Sequence, residues 1–446
     1  MKINLRIPLA LLLLLPAMLY AQEDSGNFGF GDSGGFGFSG PAGISVSIGG
    51  EVRAELKGFF DDFGSSEKIK SIRMGDIFSG SLNFKAAGSA AEGVIKLNLK
   101  PVFENPLRSS GSSPVEIDEA FVRAFFGPVA VLGGLSKLTW GKADSFGPLD
   151  VVNPLDYSDL TKLSDPQSVK ISRPMIHAAW SLGSFSKLEA VFVPWFEGHK
   201  FAASGRWAPD QVKTLQGSGI NAEDYYPETR TLEYAQAGSR FTTSFGSSDF
   251  GFQYYYGRLP RPSVNLQFTP APVPDINYSY YHQLGVDFAR VISGFNLRAE
   301  AGANITGDLD GRDGKVNNPA LVWSLGFDRD LFDGITLNLQ GTGKVILFHS
   351  KISDNPLLDC EAGSNASSTR ITGIVSKKFL RDELELKVSG LWGIEDKDFL
   401  VMPAIAWSRN DVGIEVSAGF FGGDEKGELG QYRDNGFVKV CLSYCF

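Results

Sequence analysis

The sequence predicts an all-β protein: a transmembrane antiparallel up-and-down β-barrel of about 18 strands, with about 16 strands as the alternative. Three observations predict it. Apolar and polar residues alternate along most of the chain, short and long connections alternate between the predicted strands, and the last strand ends on an aromatic residue. The mean hydropathy of −0.06 agrees, because in such a wall the polar lumen residues offset the apolar lipid-facing ones.

The amino terminus has the features of a secretory signal peptide. Lys2 and Arg6 flank the start of an apolar run over Ile7–Leu19, and Ala21 is a small residue suited to a cleavage site. The expected division of the chain is a signal peptide at 1–21, a Gly/Phe-rich leader, short plug or extra strand at 22–41, and the transmembrane barrel at 42–446.

From Ile44 onward the alternation is regular. Leu384, Leu386 and Val388, for example, alternate with Glu385 and Lys387. Successive side chains of a strand point to opposite faces, so each such segment has one apolar and one polar face. The predicted strands are 43–57, 77–86, 91–100, 117–126, 129–140, 170–182, 185–196, 231–245, 249–257, 278–290, 294–304, 319–328, 335–347, 369–379, 383–392, 399–408, 411–421 and 436–446.

The predicted connections alternate in length. Short ones such as Gly127-Pro128 and Gly183-Ser184 follow every second strand, and long ones such as 141–169 and 197–230 fall between them. The connection at 393–398 is the brief exception on the long side. Outer-membrane barrels have short periplasmic turns and longer external loops. We therefore expect a location in a bacterial outer membrane with both termini on the periplasmic side.

The last strand carries an expected assembly signal. Leu442, Tyr444 and Phe446 share its apolar face, and the chain ends on Phe446. Outer-membrane barrels end in this way, and we expect these residues to be recognised by the barrel-insertion machinery. Cys441 and Cys445 lie about 13 Å apart at strand rise, too far for a disulfide. With Cys360 in a predicted loop, three free thiols are expected.

The polar face holds more basic than acidic side chains, although the net charge of the chain is −9. Rings of Lys and Arg favour anions in pores, whereas charges that pair across neighbouring strands select nothing. Both interpretations stay open. The predicted pore-lining residues are Arg53, Lys85, Lys96, Arg123, Arg298, Glu300, Lys344, Lys387 and Lys439.

The segment from Thr139 to Asp159 is dense in turn-forming residues, with tight bends expected at Gly147-Pro148 and Asn153-Pro154. We expect it to fold inward and narrow the pore; the alternative is that it only closes the barrel mouth. Its candidate constriction residues are Trp140, Lys142, Asp144, Asp150, Asn153 and Asp156.

Three segments carry a family resemblance. Trp140-Gly-Lys142 followed by Asp150–Asp156 resembles a motif of porin-like bacterial outer-membrane β-barrels, a group that includes uncharacterised outer-membrane proteins. The segments Leu188–Phe196 and Gly422–Asp434 resemble the same group. The resemblance implies a transport-type barrel and carries over no catalytic residue.

The expected function is a porin-type channel that passes small hydrophilic solutes through a charged lumen, with anions as one candidate class. A transporter of hydrophobic substrates resembling the fatty-acid transport barrels and a surface adhesive or structural barrel are the alternatives. We expect no enzyme, cofactor, metal or nucleic-acid partner. The expected partners are outer-membrane lipid, the insertion machinery and small solutes, with a homo-oligomer as a further option.

Overall fold

The structure is a computed structural model that describes residues 36–39, 43–64, 77–100, 114–217, 219–268, 272–356 and 358–446. The expected signal peptide at 1–21 and residues 22–35 of the leader lie outside the described residues. Among the described residues, no helix has the length and apolar character needed to cross a membrane.

Strands account for most of the described chain, and one α-helix, α1 (Asp210–Gly217), lies in a connection. The strands in chain order are β1 (Phe36–Ser39), β2 (Ser45–Phe59), β3 (Phe78–Ala87), β4 (Ala91–Leu99), β5 (Val115–Phe126), β6 (Val129–Ser136), β7 (Asp156–Tyr157), β8 (Arg173–Leu182), β9 (Ser186–Val193), β10 (Lys200–Phe201), β11 (Gln236–Phe245), β12 (Ser248–Arg258), β13 (Ser263–Phe268), β14 (Pro272–Asn277), β15 (Tyr280–Ile292), β16 (Phe295–Thr306), β17 (Ala320–Asp330), β18 (Ile335–Ile346), β19 (Ser367–Phe379), β20 (Leu384–Gly393), β21 (Asp398–Arg409), β22 (Val412–Gly423) and β23 (Phe437–Cys445).

Eighteen of these strands form a closed antiparallel barrel, which confirms the all-β prediction and its higher strand number. Each barrel strand pairs with its neighbour along the chain, and β2 pairs with β23 to close the sheet. The strands outside the barrel wall are β1, β7, β10, β13 and β14. The alternative of 16 strands is wrong.

The alternating apolar and polar residues of the sequence point alternately to the outer and inner faces of the barrel. Val52 and Leu56 of β2 and Leu442 of β23 are half exposed on the outside. Phe437, one position before the outward run of β23, is buried inside. A closed sheet leaves no backbone edge unpaired, and its apolar outer surface is suited to contact with lipid.

Short and long connections lie at opposite ends of the barrel, here called the short-turn end and the long-loop end. Gly127, Gly183 and Gly246 have φ values of 61°, 69° and 61° in the short turns, a left-handed conformation that glycine adopts without strain. The Cys445 amide donates to the Asp411 carbonyl at 2.8 Å, so the carboxy terminus lies at the short-turn end. The brief connection between β20 and β21 remains the exception at the other end.

The seam between the first and last barrel strands is staggered. β23 pairs with β2 from Glu51 to Phe59, and β1 pairs with the start of β2, with Phe36 opposite Ile48 and Ser39 opposite Ser45. Strand β1 therefore lies on the same edge of β2 as β23, where β23 has already ended. It places part of the Gly/Phe-rich leader next to the barrel as an added strand.

Apolar side chains also pack inside the barrel near the long-loop end. They join the inner faces of β20–β23 to residues of three long connections. The Trp207 ring lies 5.4 Å from that of Phe421 and 5.7 Å from that of Tyr432. This mouth cluster consists of Leu160, Leu163, Trp207, Leu391, Leu400, Met402, Phe421, Leu429, Tyr432 and Phe437.

Candidate functional site: the lumen and its inner loop

The connection between β6 and β8, residues 137–172, lies inside the barrel and is called the inner loop. Leu149 at its centre is fully buried. The side-chain amide of Gln253 donates to the Leu149 carbonyl at 2.9 Å, and that of Gln283 donates to the Pro148 carbonyl at 3.0 Å. Gln253 and Gln283 belong to the inner faces of β12 and β15, so the loop lies directly against that wall.

One carboxylate of the wall makes several of the contacts that hold the loop. Glu300 of β16 accepts hydrogen bonds from the backbone amides of Lys142, Ala143 and Leu149, at 2.7 Å for Ala143 and 3.4 Å for Leu149. Gly141 passes so close that a Cβ there would collide with this carboxylate. Glu300, one of the predicted pore-lining residues, thus points inward and is covered by the inner loop.

The loop tip reaches deep into the barrel. Asp144 accepts a hydrogen bond from the Asn338 amide at 2.7 Å and also contacts the guanidinium of Arg298, which pairs with Asp328 as well. The backbone amide of Asp144 donates to the side-chain carbonyl oxygen of Gln340 at 2.8 Å. Arg298 and Asn338 lie near the short-turn ends of β16 and β18, so the loop spans more than half of the barrel height.

Lys142 is the other tip residue, and its ammonium lies 3.6 Å from the Asp249 carboxylate near the short-turn end of β12. Lys142 and Asp144 keep side-chain exposures of 31% and 28%. Of the predicted constriction residues, these two reach the lumen.

Trp140 and Asn153 fix the base of the loop. Trp140 is buried, with its ring edge-to-face against Tyr255 at 6.3 Å. The Asn153 amide donates to the carbonyls of Ser136 and Ile171 at 3.1 and 2.8 Å, which joins the two ends of the loop. Both residues hold the loop in place and do not face an open path.

Asp150 and Asp156 also make contacts within the loop region. Asp150 lies 2.6 Å from Lys170; burial raises the pKa of Asp150 even though Lys170 favours its charged form. Asp156 and Tyr157 form the short strand β7. Burial opposes ionisation of Asp156, but hydrogen bonds from Ser158 and the nearby Lys200 outweigh burial and lower its pKa. Neither carboxylate reaches the loop tip.

The remaining predicted pore-lining residues lie on the inner face, mostly in ion pairs. Glu92 contacts Arg123 at 2.7 Å and Lys85 at 3.0 Å, and Arg53 contacts Glu51 at 2.7 Å. The other pairs are Lys96 with Glu119, Lys344 with Glu361 at 3.8 Å and Lys439 with Glu55 at 3.9 Å. Pairing across neighbouring strands, the second interpretation left open by the sequence, describes most of these charges.

Lys387 differs from the others. Its cross-strand neighbours on the inner face are Ser376 and Ala404, neither of which carries a charge. Within the described part of the chain, no carboxylate lies within ion-pairing distance of Lys387. It is therefore the predicted pore-lining cation whose charge is least compensated.

Sequence reasoning missed the amides that bind the loop. Gln253, Gln283 and Gln340 are buried on the inner face. A buried Arg240–Asp287 pair at 2.7 Å lies beside them, with 4% and 0% of the two side chains exposed. The polar pattern shows that these residues point inward, but no local signal shows that a distant loop covers them. Across the described residues, no group of three or more His, Cys, Asp or Glu side chains is arranged to hold a metal ion.

With this geometry, the barrel is similar to solved structures of two bacterial outer-membrane proteins. Against OccAB4 of Acinetobacter baumannii the TM-score is 0.51 at 8% identity, covering 91% of this chain and 98% of that chain. Against the outer membrane protein OpdK of Pseudomonas aeruginosa it is 0.50 at 8% identity, covering 90% and 98%.

The chain has the fold of these two outer-membrane barrels. No family model and no curated protein matches its sequence.

Two native cysteines of this barrel can be used to probe solvent access to the lumen. Cys441 and Cys445 lie on the inner face of β23, and all three cysteines are free thiols, as predicted. Burial raises the pKa of the third thiol, Cys360, to about 11, which lowers its thiolate fraction at neutral pH.

We expect a charged, water-soluble methanethiosulfonate reagent to label Cys441 and Cys445 in the folded barrel, because both side chains are partly exposed on the inner face of β23. Mass spectrometry of the labelled chain gives the sites. The variant Cys441→Ser should lose the label at that position and keep the label at Cys445. Labelling of Cys360 with none at Cys441 would contradict the inner-face assignment.

Proposed function

We propose that this barrel forms a water-filled channel in a bacterial outer membrane, with both termini in the periplasm, for small hydrophilic solutes. One observation carries the proposal. The inner loop covers one wall of the lumen and leaves the opposite wall exposed to solvent. Arg53, Lys96 and Arg123, on the uncovered wall, have side-chain exposures of 52%, 42% and 38%. Glu300 and Gln340, on the covered wall, are buried.

A charged, solvated wall opposite an internal loop is suited to passing polar molecules. A hydrophilic solute that crosses beside such a wall keeps hydrogen-bonding partners and avoids the cost of entering hydrocarbon. The loop tip with Lys142 and Asp144 narrows the same path, so size and charge are both restricted there. The proposal assigns the protein no enzymatic activity.

Planar-bilayer recording of the purified barrel tests the proposal. We expect discrete ion-current steps, because a continuous water path conducts small ions. A folded barrel, checked by heat-modifiable migration, that gives no current would reject the channel. The transporter of hydrophobic substrates or the adhesive barrel would then be favoured.

A weak preference for anions is part of the proposal. Its support is the uncompensated charge of Lys387 and the sharing of Glu92 by Lys85 and Arg123. We expect Lys387→Glu to shift the reversal potential in a salt gradient toward cations. Lys377→Glu is the matched control, because Lys377 lies in the facing strand at the short-turn end, pairs with Asp333 and points to the other face. Equal shifts for both variants would contradict a selective role of Lys387.

A further inference from the structure

The long connections form two groups at the long-loop end. In the first group, the connections after β2, β6, β9 and β22 meet around the mouth cluster. The guanidinium of Arg206 contacts Asp61 at 2.9 Å and Asp62 at 2.8 Å, and the Asn435 amide donates to the Arg206 carbonyl at 2.8 Å. Apolar packing and polar contacts together hold this group against β20–β23.

The second group lies on the opposite side of the mouth. It contains the hairpin β13–β14 and the connections after β16 and β18. Asn265 of the hairpin donates to the Gly314 carbonyl at 3.0 Å, and Ser263 donates to Asn317 at 2.8 Å. The Cys360 amide donates to the same Gly314 carbonyl at 2.8 Å. These contacts tie the second group together. It also contacts the connection after β9, through a hydrogen bond from the His199 backbone amide to the Pro260 carbonyl at 2.8 Å and through the Phe196 and Tyr278 rings at 4.7 Å.

One carboxylate joins the groups across the lumen. Glu428, in the connection between β22 and β23, contacts Arg370 of β19 at 2.7 Å and also binds the guanidinium of Arg261. Arg261 lies three residues after the end of β12 in the chain. In the closed sheet, β12 and β22 are separated by β15–β21 in one direction and by β23 through β11 in the other, so the contact crosses the mouth. Glu428, Arg261 and Arg370 are called the clasp.

The two sides of the clasp are not equally fixed. Next to Glu428, Leu429 is buried in the mouth cluster, and its amide donates to the buried Asp398 carboxylate at 2.6 Å. Glu428 therefore keeps its position whether or not it binds Arg261. The Arg261 side chain is 53% exposed, and its partner is 36% exposed. Ion pairs in contact with water separate at small cost, so the Arg261 side chain can leave Glu428 while the backbone on both sides stays in place.

Charge supports the same assignment. Burial raises the pKa of Glu428, but Arg261 and Arg370 outweigh burial and hold that pKa far below the usual range of Glu. The clasp carboxylate is therefore charged at neutral pH, as an ion pair across the mouth requires.

We propose that Glu428 is the residue that limits the size of solute admitted at the extracellular entrance. Its ion pairs with Arg261 and Arg370 cross the opening between the two groups. This inference rests on the proposed channel function, since it assigns the entrance of that channel. Without the carboxylate charge, the side chains of Arg261 and Arg370 are no longer held across the opening, so the opening widens while the packed connections on both sides stay in place.

The test compares Glu428→Gln with Glu425→Gln. The control removes the same charge from the same connection, but Glu425 pairs with Arg433 inside that connection and not across the mouth. Two readouts are used in proteoliposomes: swelling rates with uncharged sugars of increasing size, and labelling of Cys441 by a bulky methanethiosulfonate reagent added outside. We expect Glu428→Gln to admit larger sugars and to speed labelling several-fold. Glu425→Gln should match the wild type.

The variant Arg261→Gln should show the same sugar-size limit and labelling rate as Glu428→Gln. The double variant should show no larger effect than either single variant, because both changes remove the same contact between residues 261 and 428. Equal behaviour of Glu428→Gln and Glu425→Gln in both readouts overturns the inference. If Glu428→Gln fails to give a heat-modifiable barrel, Arg261→Gln decides by the same two outcomes, since it leaves Glu428 bound to Arg370. Absence of sugar entry in every chain, wild type included, rejects the channel itself, and the labelling rates then still decide on the clasp.

Discussion

Replacing Glu300 with alanine is expected to raise the single-channel conductance and make the current noisier. Glu300 is the acceptor for three backbone amides of the inner loop. Hydrogen bonds to a charged group are worth about 1.5–3 kcal/mol each, so the loop loses its main attachment to β16. A loop that leaves β16 no longer fixes Lys142 and Asp144 in the path, so the opening beside them widens and fluctuates. Planar-bilayer recording at fixed salt measures the effect.

The control for this change is Glu51→Ala. Glu51 also lies on the inner face and is also a carboxylate, but it pairs with Arg53 and does not contact the inner loop. Glu300→Gln should fall between the wild type and Glu300→Ala, because the amide oxygen still accepts a hydrogen bond. If Glu300→Ala and Glu51→Ala conduct alike, the loop is held by its other contacts and Glu300 is not its main anchor.

Deleting Phe446 is expected to lower the amount of barrel assembled in the outer membrane while export across the inner membrane continues. The Phe446 amide and carbonyl exchange hydrogen bonds with those of Gly50 at 3.0 and 2.9 Å, and its ring stacks on Tyr444 at 6.4 Å. The two hydrogen bonds are worth roughly 0.5–1.5 kcal/mol each, and they lie at the seam that closes the sheet. Heat-modifiable migration of isolated outer membranes measures the folded amount.

A matched control is Phe332→Ala. Phe332 is an aromatic residue at the same end of the barrel, 81% exposed in the turn between β17 and β18 and away from the seam. We expect its replacement to leave assembly unchanged. Equal folded amounts of the chain lacking Phe446 and the wild type would show that Leu442, Tyr444 and Phe446 are not the assembly signal.

The barrel wall could be predicted from the sequence because its signals are local. The β12 prediction of 249–257 compares with Ser248–Arg258 in the structure, since strict alternation and a two-residue turn fix both the faces and the ends. The hairpin β13–β14 was missed and predicted only as a long connection. Its second strand contains Pro272 and Pro274, residues that local patterns associate with loops.

The site could be predicted only in part. The sequence predicted that Lys142 and Asp144 belong to an inward loop and that Glu300 and Arg298 point inward. It could not show that these residues meet, because Asp144 and Gln340 are far apart in the chain and their contact depends on the closure of the whole sheet. It also could not show that Lys344 lies close to Glu361 of a long connection.

The position of the inner loop divides the lumen residues into two kinds with separate effects. Substitutions of Gln253, Glu300 or Gln340 change the packing beneath the loop, so they act on the shape of the path through folding stability. Substitutions of Arg53, Lys96 or Arg123 change side chains that water already reaches, so they act directly on what passes. A library that varies only these three exposed positions can therefore alter permeation one side chain at a time, on a scaffold whose opposite wall stays intact.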